Sequence, residues 1–165
     1  MVEIYENLFI GSADDYEKDV RFREGWEVVH ACREPYHRRA LGYTGRGAPK
    51  HHPEYLIARR ENRIILNLID AGTPKYIPKE IIDASLEFIS TAIAFQHKCL
   101  VHCNQGFSRA PSLGFLFLAS KGLLSENFDE AFGEFLQLYP YYNPGNGMYC
   151  FVKDNWNSYC RKIEI

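Results

Sequence analysis

The 165-residue sequence lacks the features that mark several classes of protein. It has no apolar run of about 18 or more residues, so we expect no transmembrane helix and no membrane partner. Its first residues, MVEIYENLFIGSADDYEKD, carry acidic side chains early and no long apolar stretch, so we expect no signal peptide. Internal repeats and low-complexity segments are also missing.

Cysteine is scarce and irregularly spaced. Its number is odd and its spacing shows neither a disulfide framework nor a CxxC zinc motif. A reducing, cytoplasmic compartment is the simplest expectation for such a chain. The five cysteines are Cys32, Cys99, Cys103, Cys150 and Cys160.

The histidines do not indicate a metal site. His37 and the pair His51–His52 lie in one segment without cysteine partners, and they lack the helical i, i+4 spacing of a zinc motif. We interpret them as loop histidines, and we expect neither a metal nor another cofactor.

What is present is a globular composition. Hydrophobic residues make up 46% and charged residues 24% of the chain, which indicates one domain, residues 1–165, with its own core. We expect a monomer. The net charge of −2 is unevenly distributed, because residues 33–63 hold eight Lys/Arg and three Asp/Glu, a local +5. This basic segment could face an anionic partner, but on charge alone a solvated basic loop is the preferred interpretation.

Apolar patterning predicts alternating strands and helices. The sequence indicates an α/β fold with a central, mostly parallel sheet flanked by helices. An atypical basic loop at about residues 33–60 interrupts the pattern, since it is rich in glycine and proline. We predict strands at 3–10, 26–32, within 55–69 (two, joined by a turn at REN) and at 99–103. We predict helices at 13–25, 78–96, 110–122, 125–139 (with Ser125 as N-cap) and 148–162.

A cysteine stands where one of these strands should end. Cys103 closes the run CLVHC, the short loop NQGFS follows, and Arg109 opens an apolar helix. In such sheets ligands bind at the carboxyl ends of strands, and loop amides before a helix converge on anions. Gly106 would let the loop turn, Arg109 would offer a planar fork to phosphate oxygens, and the positive field would favour a thiolate. A structural turn around a core thiol is the alternative, but it explains none of these neighbours.

The stretch HCNQGFSR resembles the signature of the protein-tyrosine and dual-specificity phosphatases. That signature is His-Cys, five residues and Arg, and here it is filled by His102, Cys103 and Arg109, with Gly106 and Ser108 on family positions. The resemblance implies a cysteine nucleophile, an arginine that binds phosphate, a serine that hydrogen-bonds the departing thiolate, and a histidine that supports the loop. It also implies that the loop residues bind substrate, namely Asn104, Gln105, Gly106, Phe107 and Arg109.

The resemblance covers most of the chain. It is weak at YENLFIGS, strong from residue 64 to residue 151, where the later turn YP...NPGNG also resembles the dual-specificity subgroup, and broken at 33–60. Ala110 stands where the family more often has Ser or Thr, and we expect that change to be tolerated.

Expulsion of an alcohol or phenol oxygen requires a general acid on another loop. Asp70 ends the predicted strand RIILNLID, 33 residues before Cys103, which is about the offset that the family uses. We therefore predict Asp70 as the acid, although it could instead cap a turn. Asp83 and Asp129 are the rivals, but both lie inside helical patterns.

These observations predict a phosphatase that hydrolyses phosphate monoesters of Tyr, Ser or Thr in phosphoproteins through a phosphocysteine. Uncharged side chains at Asn104, Gln105 and Phe107 argue against a highly phosphorylated lipid, whereas the basic segment would suit RNA 5′ ends or a nucleotide. A phosphate-binding module without turnover and a thiol redox or sulfur-transfer enzyme are the other classes. The first has no need of Cys103, Arg109 and Asp70 together, and the second lacks a CxxC partner.

Overall fold

A six-stranded sheet forms the centre of the computed structural model, which describes residues 1–160. Its order is β1-β2-β6-β3-β5-β4. The four inner strands β2, β6, β3 and β5 are parallel, and β1 and β4 are antiparallel at the edges. The predicted mostly parallel α/β fold is therefore confirmed. The strands are β1 (Val2–Tyr5), β2 (Leu8–Gly11), β3 (Trp26–His30), β4 (Ile57–Arg60), β5 (Arg63–Leu66) and β6 (Lys98–His102).

Helices cover both faces of this sheet. On one face α3 and α4 pack against the parallel strands, with α6 outside α4. On the other face lie two short helical segments, residues 13–20 and 33–41, each part α-helix and part π-helical turn. No helix within residues 1–160 is long and apolar enough to cross a membrane. The helices are α1 (Ala13–Asp15), α2 (Arg38–Leu41), α3 (Lys79–Ala94), α4 (Arg109–Ser120), α5 (Phe128–Leu138) and α6 (Asn146–Cys160).

The central helix α4 is buried along most of its length. Every residue from Ala110 to Ala119 is buried, because the helix lies between the sheet, α3 and α6. Each large apolar side chain buried in this way contributes roughly 1.5–3 kcal/mol. Its all-round apolar sequence is thus explained, and the core that it forms fixes the position of the loop before it.

Several predicted elements differ from the structure. The helix predicted at 13–25 ends at Val20. The strand predicted at 3–10 is a hairpin, because Asn7 takes a left-handed φ of 63° and turns the chain. The N-cap of α5 is Asn127, not Ser125, since the Asn127 side chain accepts from the Glu130 amide. The last helix begins at Asn146, two residues early, and its predicted end at 161–162 lies outside the described residues.

The prediction of a loop at 33–60 was wrong for residues 33–41. Residues 33–41 are helical although Glu34 has non-helical dihedral angles. The Arg38 guanidinium donates to both carboxylate oxygens of Glu34 at 2.8 Å, and Tyr36 is buried against Tyr16 and His30. These contacts stabilise a helical segment that has no apolar period of its own.

Candidate active site

Cys103 lies directly after β6, at the carboxyl edge of the parallel sheet. The strand end is held by the Ala31 amide, which donates to the His102 carbonyl at 2.8 Å. Cys103 is only 2% exposed, and the chain then runs through five residues into α4. The predicted strand, loop and helix are all present, so the loop 103–109 curls in front of a helix N-terminus.

Gly106 allows the loop to turn back on itself. Its φ is +81°, and an added Cβ would lie 3.0 Å from the Gly11 carbonyl oxygen and 3.1 Å from the Tyr139 hydroxyl. That hydroxyl donates to the Gly106 carbonyl at 2.7 Å. Burial, followed by the proximity of Cys103, raises the pKa of Tyr139, so its hydroxyl remains a donor. The loop therefore requires glycine at this position.

Arg109 is positioned by contacts at both terminal nitrogens. Nη1 donates to the Leu68 carbonyl at 3.1 Å, and Nη2 donates to Asn104 Oδ1 at 2.6 Å. Asn104 is fixed in turn, since its Nδ2 donates to the Glu34 carbonyl at 2.9 Å. Among the described residues the buried Nε of Arg109 has no hydrogen-bond partner, so its N–H remains available together with the second N–H of each terminal nitrogen.

Asp70 and Ser108 meet across the cleft. The Ser108 hydroxyl donates to Asp70 Oδ1 at 2.9 Å and accepts from the Gly145 amide at 2.9 Å. The one hydroxyl hydrogen is thus directed at Asp70. The resemblance implied that Ser108 serves the cysteine sulfur, and in this arrangement the serine also orients the predicted acid.

The loop of Asp70 is held by the first turn of α6. Gly147 approaches the Ala71 carbonyl so closely that an added Cβ would lie 2.1 Å from that oxygen, and its amide donates to the same atom at 3.1 Å. Asn146 Nδ2 donates to the Gly72 carbonyl at 2.9 Å. The turn NPGNG therefore fixes the backbone that presents Asp70.

These residues surround an open cleft of about 350 Å³. The sequence predicted seven of its ten lining residues, and it missed the three that come from the turn before α6. That turn was recognisable as a turn, but its proximity to Cys103 depends on long-range packing. The lining residues are Asp70, Cys103, Asn104, Gln105, Phe107, Ser108, Arg109, Asn143, Pro144 and Gly145.

The remaining predicted residues do not line the cleft. Gly106 faces Gly11 and Tyr139 behind the loop, and His102 is fully buried beneath it. The rival acids lie elsewhere: Asp83 is on α3, where it pairs with Lys79 at 2.7 Å, and Asp129 is in the first turn of α5. Asp70 is thus the aspartate that the structure brings to Cys103.

A second histidine, which the sequence did not reveal, supports His102 from below. His102 Nδ1 lies 3.0 Å from the Cys103 carbonyl, and its Nε2 lies 2.6 Å from His30 Nδ1. Burial lowers the pKa of His102 to about 4 and that of His30 well below its usual value. Both rings are therefore neutral at pH 7.

The hydrogen-bond partners assign the tautomers of this pair. Because a carbonyl accepts only, His102 Nδ1 must carry the proton, and its Nε2 must accept. His30 therefore donates from Nδ1, and its Nε2 accepts from Arg63 Nη1, which lies 3.4 Å away. The hydrogen bonds therefore run in one direction: Arg63 donates to His30, His30 donates to His102, and His102 donates to the Cys103 carbonyl.

The basic segment uses part of its charge for its own structure. Arg38 donates to the carbonyls of Tyr43 and Gly45 as well as to Glu34. His37, predicted to be a loop histidine, is fully buried, with ring nitrogens 3.1 Å from the Tyr43 hydroxyl and 2.9 Å from the Glu54 carbonyl. Arg38 and His37 therefore hold the segment 43–54 against the domain.

No protein-family model matches the chain, and no curated protein does. Solved structures do match. A leucine-rich-repeat and phosphatase-domain protein from Entamoeba histolytica is 17% identical, with a TM-score of 0.65 over 99% of this chain and 94% of that one. Human DUSP28 is 18% identical, with a TM-score of 0.66 over 95% and 92%.

A third similar structure is the human tyrosine phosphatase-like serine/threonine/tyrosine-interacting protein. It is 17% identical, with a TM-score of 0.65 over 95% of each chain. The chain thus has the fold of the dual-specificity phosphatases. The resemblance predicted from HCNQGFSR is confirmed at the level of the fold.

Proposed function

We propose that the protein is a cysteine-dependent phosphatase of the dual-specificity type that hydrolyses phosphate monoesters. The observation that supports this most directly is the cleft itself. It brings Asp70, from the loop after β5, to Cys103 and Arg109, which stand at the two ends of the loop between β6 and α4. Those three residues supply a nucleophile, a phosphate ligand and a proton donor.

The reaction proceeds in two steps. The Cys103 thiolate attacks phosphorus, the phosphorus–oxygen ester bond breaks, and Asp70 gives its proton to the departing alcohol oxygen. Water then attacks the phosphocysteine, Asp70 accepts a proton from that water, and the sulfur leaves as a thiolate with its electron pair. Inorganic phosphate is the product, and no oxidant or reductant is needed.

The supporting residues stabilise charge during these steps. The Arg109 fork and the amides of the loop bind the equatorial oxygens of the phosphoryl group. Ser108 hydrogen-bonds the sulfur as it leaves and orients Asp70 beforehand. His102 fixes the Cys103 carbonyl, so the loop keeps its curvature when its charge changes.

The substrate that fits best is a phosphoprotein. The cleft is open, and its loop side chains Asn104, Gln105 and Phe107 are uncharged, so a single phosphate on a peptide can enter. The second substrate class is RNA 5′ ends or a nucleotide, because the positive charge of the basic segment would attract such an anion. Binding without turnover is the other candidate, because one similar structure is named as phosphatase-like and interacting.

The deciding experiment is metal-free hydrolysis of p-nitrophenyl phosphate by the wild type and by Cys103→Ser. We expect the serine variant to lose turnover and to keep its affinity for tungstate, because Arg109 and the loop amides remain. Wild-type protein that binds tungstate but never hydrolyses the ester would indicate a binding module. Retained hydrolysis in the serine variant would exclude Cys103 as the nucleophile.

We further propose that the protein acts as a monomer in the reducing cytoplasm. For the compartment the supporting observation is that all five cysteines are free thiols, as a reducing environment favours. Sedimentation at micromolar concentration and fractionation of cells test the two statements separately.

A further inference from the structure

A second pocket lies on the sheet face opposite α3 and α4. It has a volume of about 220 Å³, which suffices for a phosphate group with its first waters, and it is bounded by the two short helical segments and the β4–β5 hairpin. None of its residues lines the cleft of Cys103. Its lining residues are Tyr16, Glu17, Arg21, Tyr36, Arg39, Ala40, Arg60, Arg63 and Ile65.

The pocket concentrates positive charge. Four arginines face one carboxylate, Glu17, which is already paired with Arg21 at 2.6 Å and accepts from the Tyr36 hydroxyl at 3.0 Å. Arg60 is paired with Glu54 at 3.0 Å. Within residues 1–160 the guanidinium groups of Arg39 and Arg63 form no close ion pair, although the charge of Arg39 acts on Glu17 at longer range.

Arg63 carries the stronger argument. Its side chain is half-buried at the start of β5 and, within residues 1–160, its one hydrogen bond is the 3.4 Å contact with His30. The accepting histidine is neutral, because burial lowers its pKa well below the usual value. A half-buried cation without a directly paired carboxylate is costly, and an anion that entered the pocket would offset that cost.

Arg39 provides a second, independent contact. It is exposed on α2, and among the described residues it forms neither a hydrogen bond nor a close ion pair, while its charge acts on the Glu17 carboxylate at longer range. Its side chain is therefore free to close over a ligand beside Arg63. Planar guanidinium groups from two elements match the tetrahedral oxygens of a phosphate.

We propose that this pocket is a second anion site, which binds a phosphate-type group separately from the catalytic cleft. The helical segment 33–41 connects the two places: the Glu34 carbonyl at its start holds Asn104 in the cleft, and Tyr36, Arg39 and Ala40 line the pocket. The proposal goes beyond hydrolysis and does not depend on it.

Titration with inorganic phosphate at constant ionic strength tests the proposal. Backbone amide NMR signals of residues 16–20 and 38–41 report on the pocket, and those of residues 104–108 report on the cleft. We expect both groups to shift, with separate binding curves. Arg39→Ala should weaken the pocket curve at least about fivefold, since one charged hydrogen bond is lost, and should leave the cleft curve unchanged.

Two further variants sharpen the result. Arg63→Gln keeps a donor for His30 but removes the charge, and it should weaken the pocket curve as Arg39→Ala does. Arg23→Ala is the matched control, because Arg23 is exposed in the same region but does not line the pocket. It should change neither curve. If Arg63→Gln fails to fold, the titration of Arg39→Ala still tests the proposal, because Arg39 is exposed.

Pocket signals that do not move, or a pocket affinity that Arg39→Ala leaves unchanged, would overturn the proposal. An equal loss in the pocket and the cleft would overturn it too, since it would show a general field effect. Absence of hydrolysis with an intact pocket curve would refute only the phosphatase function.

A second arm identifies the source of the anion. A short peptide with one phosphoserine and no other charged side chain is compared with inorganic phosphate on the Cys103→Ser variant, which we expect not to hydrolyse the ester. Similar affinities indicate a free phosphate ion, and at least tenfold tighter peptide binding indicates a phosphorylated polypeptide.

Discussion

At the scale of single residues, Arg109 shows why its charge alone is not enough. Its two terminal nitrogens are committed to Leu68 and Asn104, and Nε remains as a further donor. A lysine ammonium cannot make these contacts from one nitrogen with the same fixed geometry. We therefore expect Arg109→Lys to reduce kcat/KM by at least about tenfold, that is, by about 1.4 kcal/mol of transition-state stabilisation.

Steady-state kinetics with p-nitrophenyl phosphate measures this loss. Arg23→Lys serves as the control, since Arg23 is exposed and outside the cleft. A change of less than about threefold for Arg109→Lys would mean that Arg109 does not clamp the phosphate.

The loss of the Asp70 carboxyl should slow hydrolysis more for a substrate whose oxygen is a poor leaving group. An alkyl oxygen needs a proton in order to leave near neutral pH, whereas p-nitrophenolate leaves without one. We expect Asp70→Asn to slow phosphothreonine hydrolysis by about 10²–10⁴ and p-nitrophenyl phosphate hydrolysis clearly less. The basic limb of the kcat/KM profile against pH should disappear, because no proton is left to lose there.

Asp83→Asn is a matched control on α3, away from the cleft. Equal slowing of both substrates by Asp70→Asn, with both limbs preserved, would make Asp70 a structural residue. The contact with Ser108 Oγ would then be its role.

At the scale of elements, the loop 103–109 depends on its glycine. Gly106→Ala would place a methyl group in a left-handed conformation, 3.0 Å from the Gly11 oxygen. We expect a loss of about 1–3 kcal/mol in the free energy of unfolding and a fall in kcat/KM as the loop shifts. Urea unfolding and kinetics measure both quantities.

Gly133→Ala is the control, because we expect it to change the free energy of unfolding in the opposite direction. Gly133 lies inside α5, and an added Cβ would meet nothing within 4 Å. Alanine there should stabilise the protein by about 0.5–1 kcal/mol. Equal stability of Gly106→Ala and the wild type would show that the loop has room for a side chain.

The elements also show how far the sequence could predict the structure. The order of strands and helices and the loop HCNQGFSR follow from local patterns, because period and turn residues are read over a few positions. The helical segment 33–41 does not, since it is stabilised by the packing of Tyr36 against Tyr16, a contact between residues distant in sequence. The Arg38–Glu34 ion pair has the local i, i+4 spacing, but one such pair adds only a few tenths of a kcal/mol.

The cleft divides in the same way. The sequence predicted the loop residues between Cys103 and Arg109. It also predicted Asp70, from its spacing to Cys103 along the chain. It could not place the Asn143–Gly145 turn, which is held through the contact of Tyr142 with Ser112, 2.9 Å apart, and the packing of Tyr142 on Phe135.

At the scale of the whole molecule, the arginines of the basic segment fall into two groups, those paired with a nearby carboxylate and those not paired. Arg38 and Arg60 of the basic segment are satisfied locally by Glu34 and Glu54. Within the described part of the chain Arg39 and Arg63 form no close ion pair, and both border the second pocket. The local +5 therefore is neither a uniformly solvated loop nor a uniform binding face.

The buried pair His30 and His102 links global stability to pH. Burial lowers the pKa of His102 to about 4, and it lowers that of His30 well below its usual value. In the unfolded chain both histidines bind protons near pH 6.5. The unfolded state therefore gains protons first as the pH falls, and stability is lost from about pH 6.5 downwards.

Between pH 7.5 and pH 5 we expect this effect to cost about 2 kcal/mol for His102, because the unfolded chain is protonated 1.5 pH units below its pKa at about 1.36 kcal/mol per unit. His30 adds a loss of the same sign. Urea unfolding at the two pH values measures the difference. His30→Gln keeps a donor for His102 and an acceptor for Arg63, and it should reduce the loss by the share of His30. His51→Gln, on an exposed residue, should keep the wild-type dependence. A wild-type stability that is unchanged at pH 5, or a His30→Gln variant that loses as much as the wild type, would mean that the pair is not held neutral.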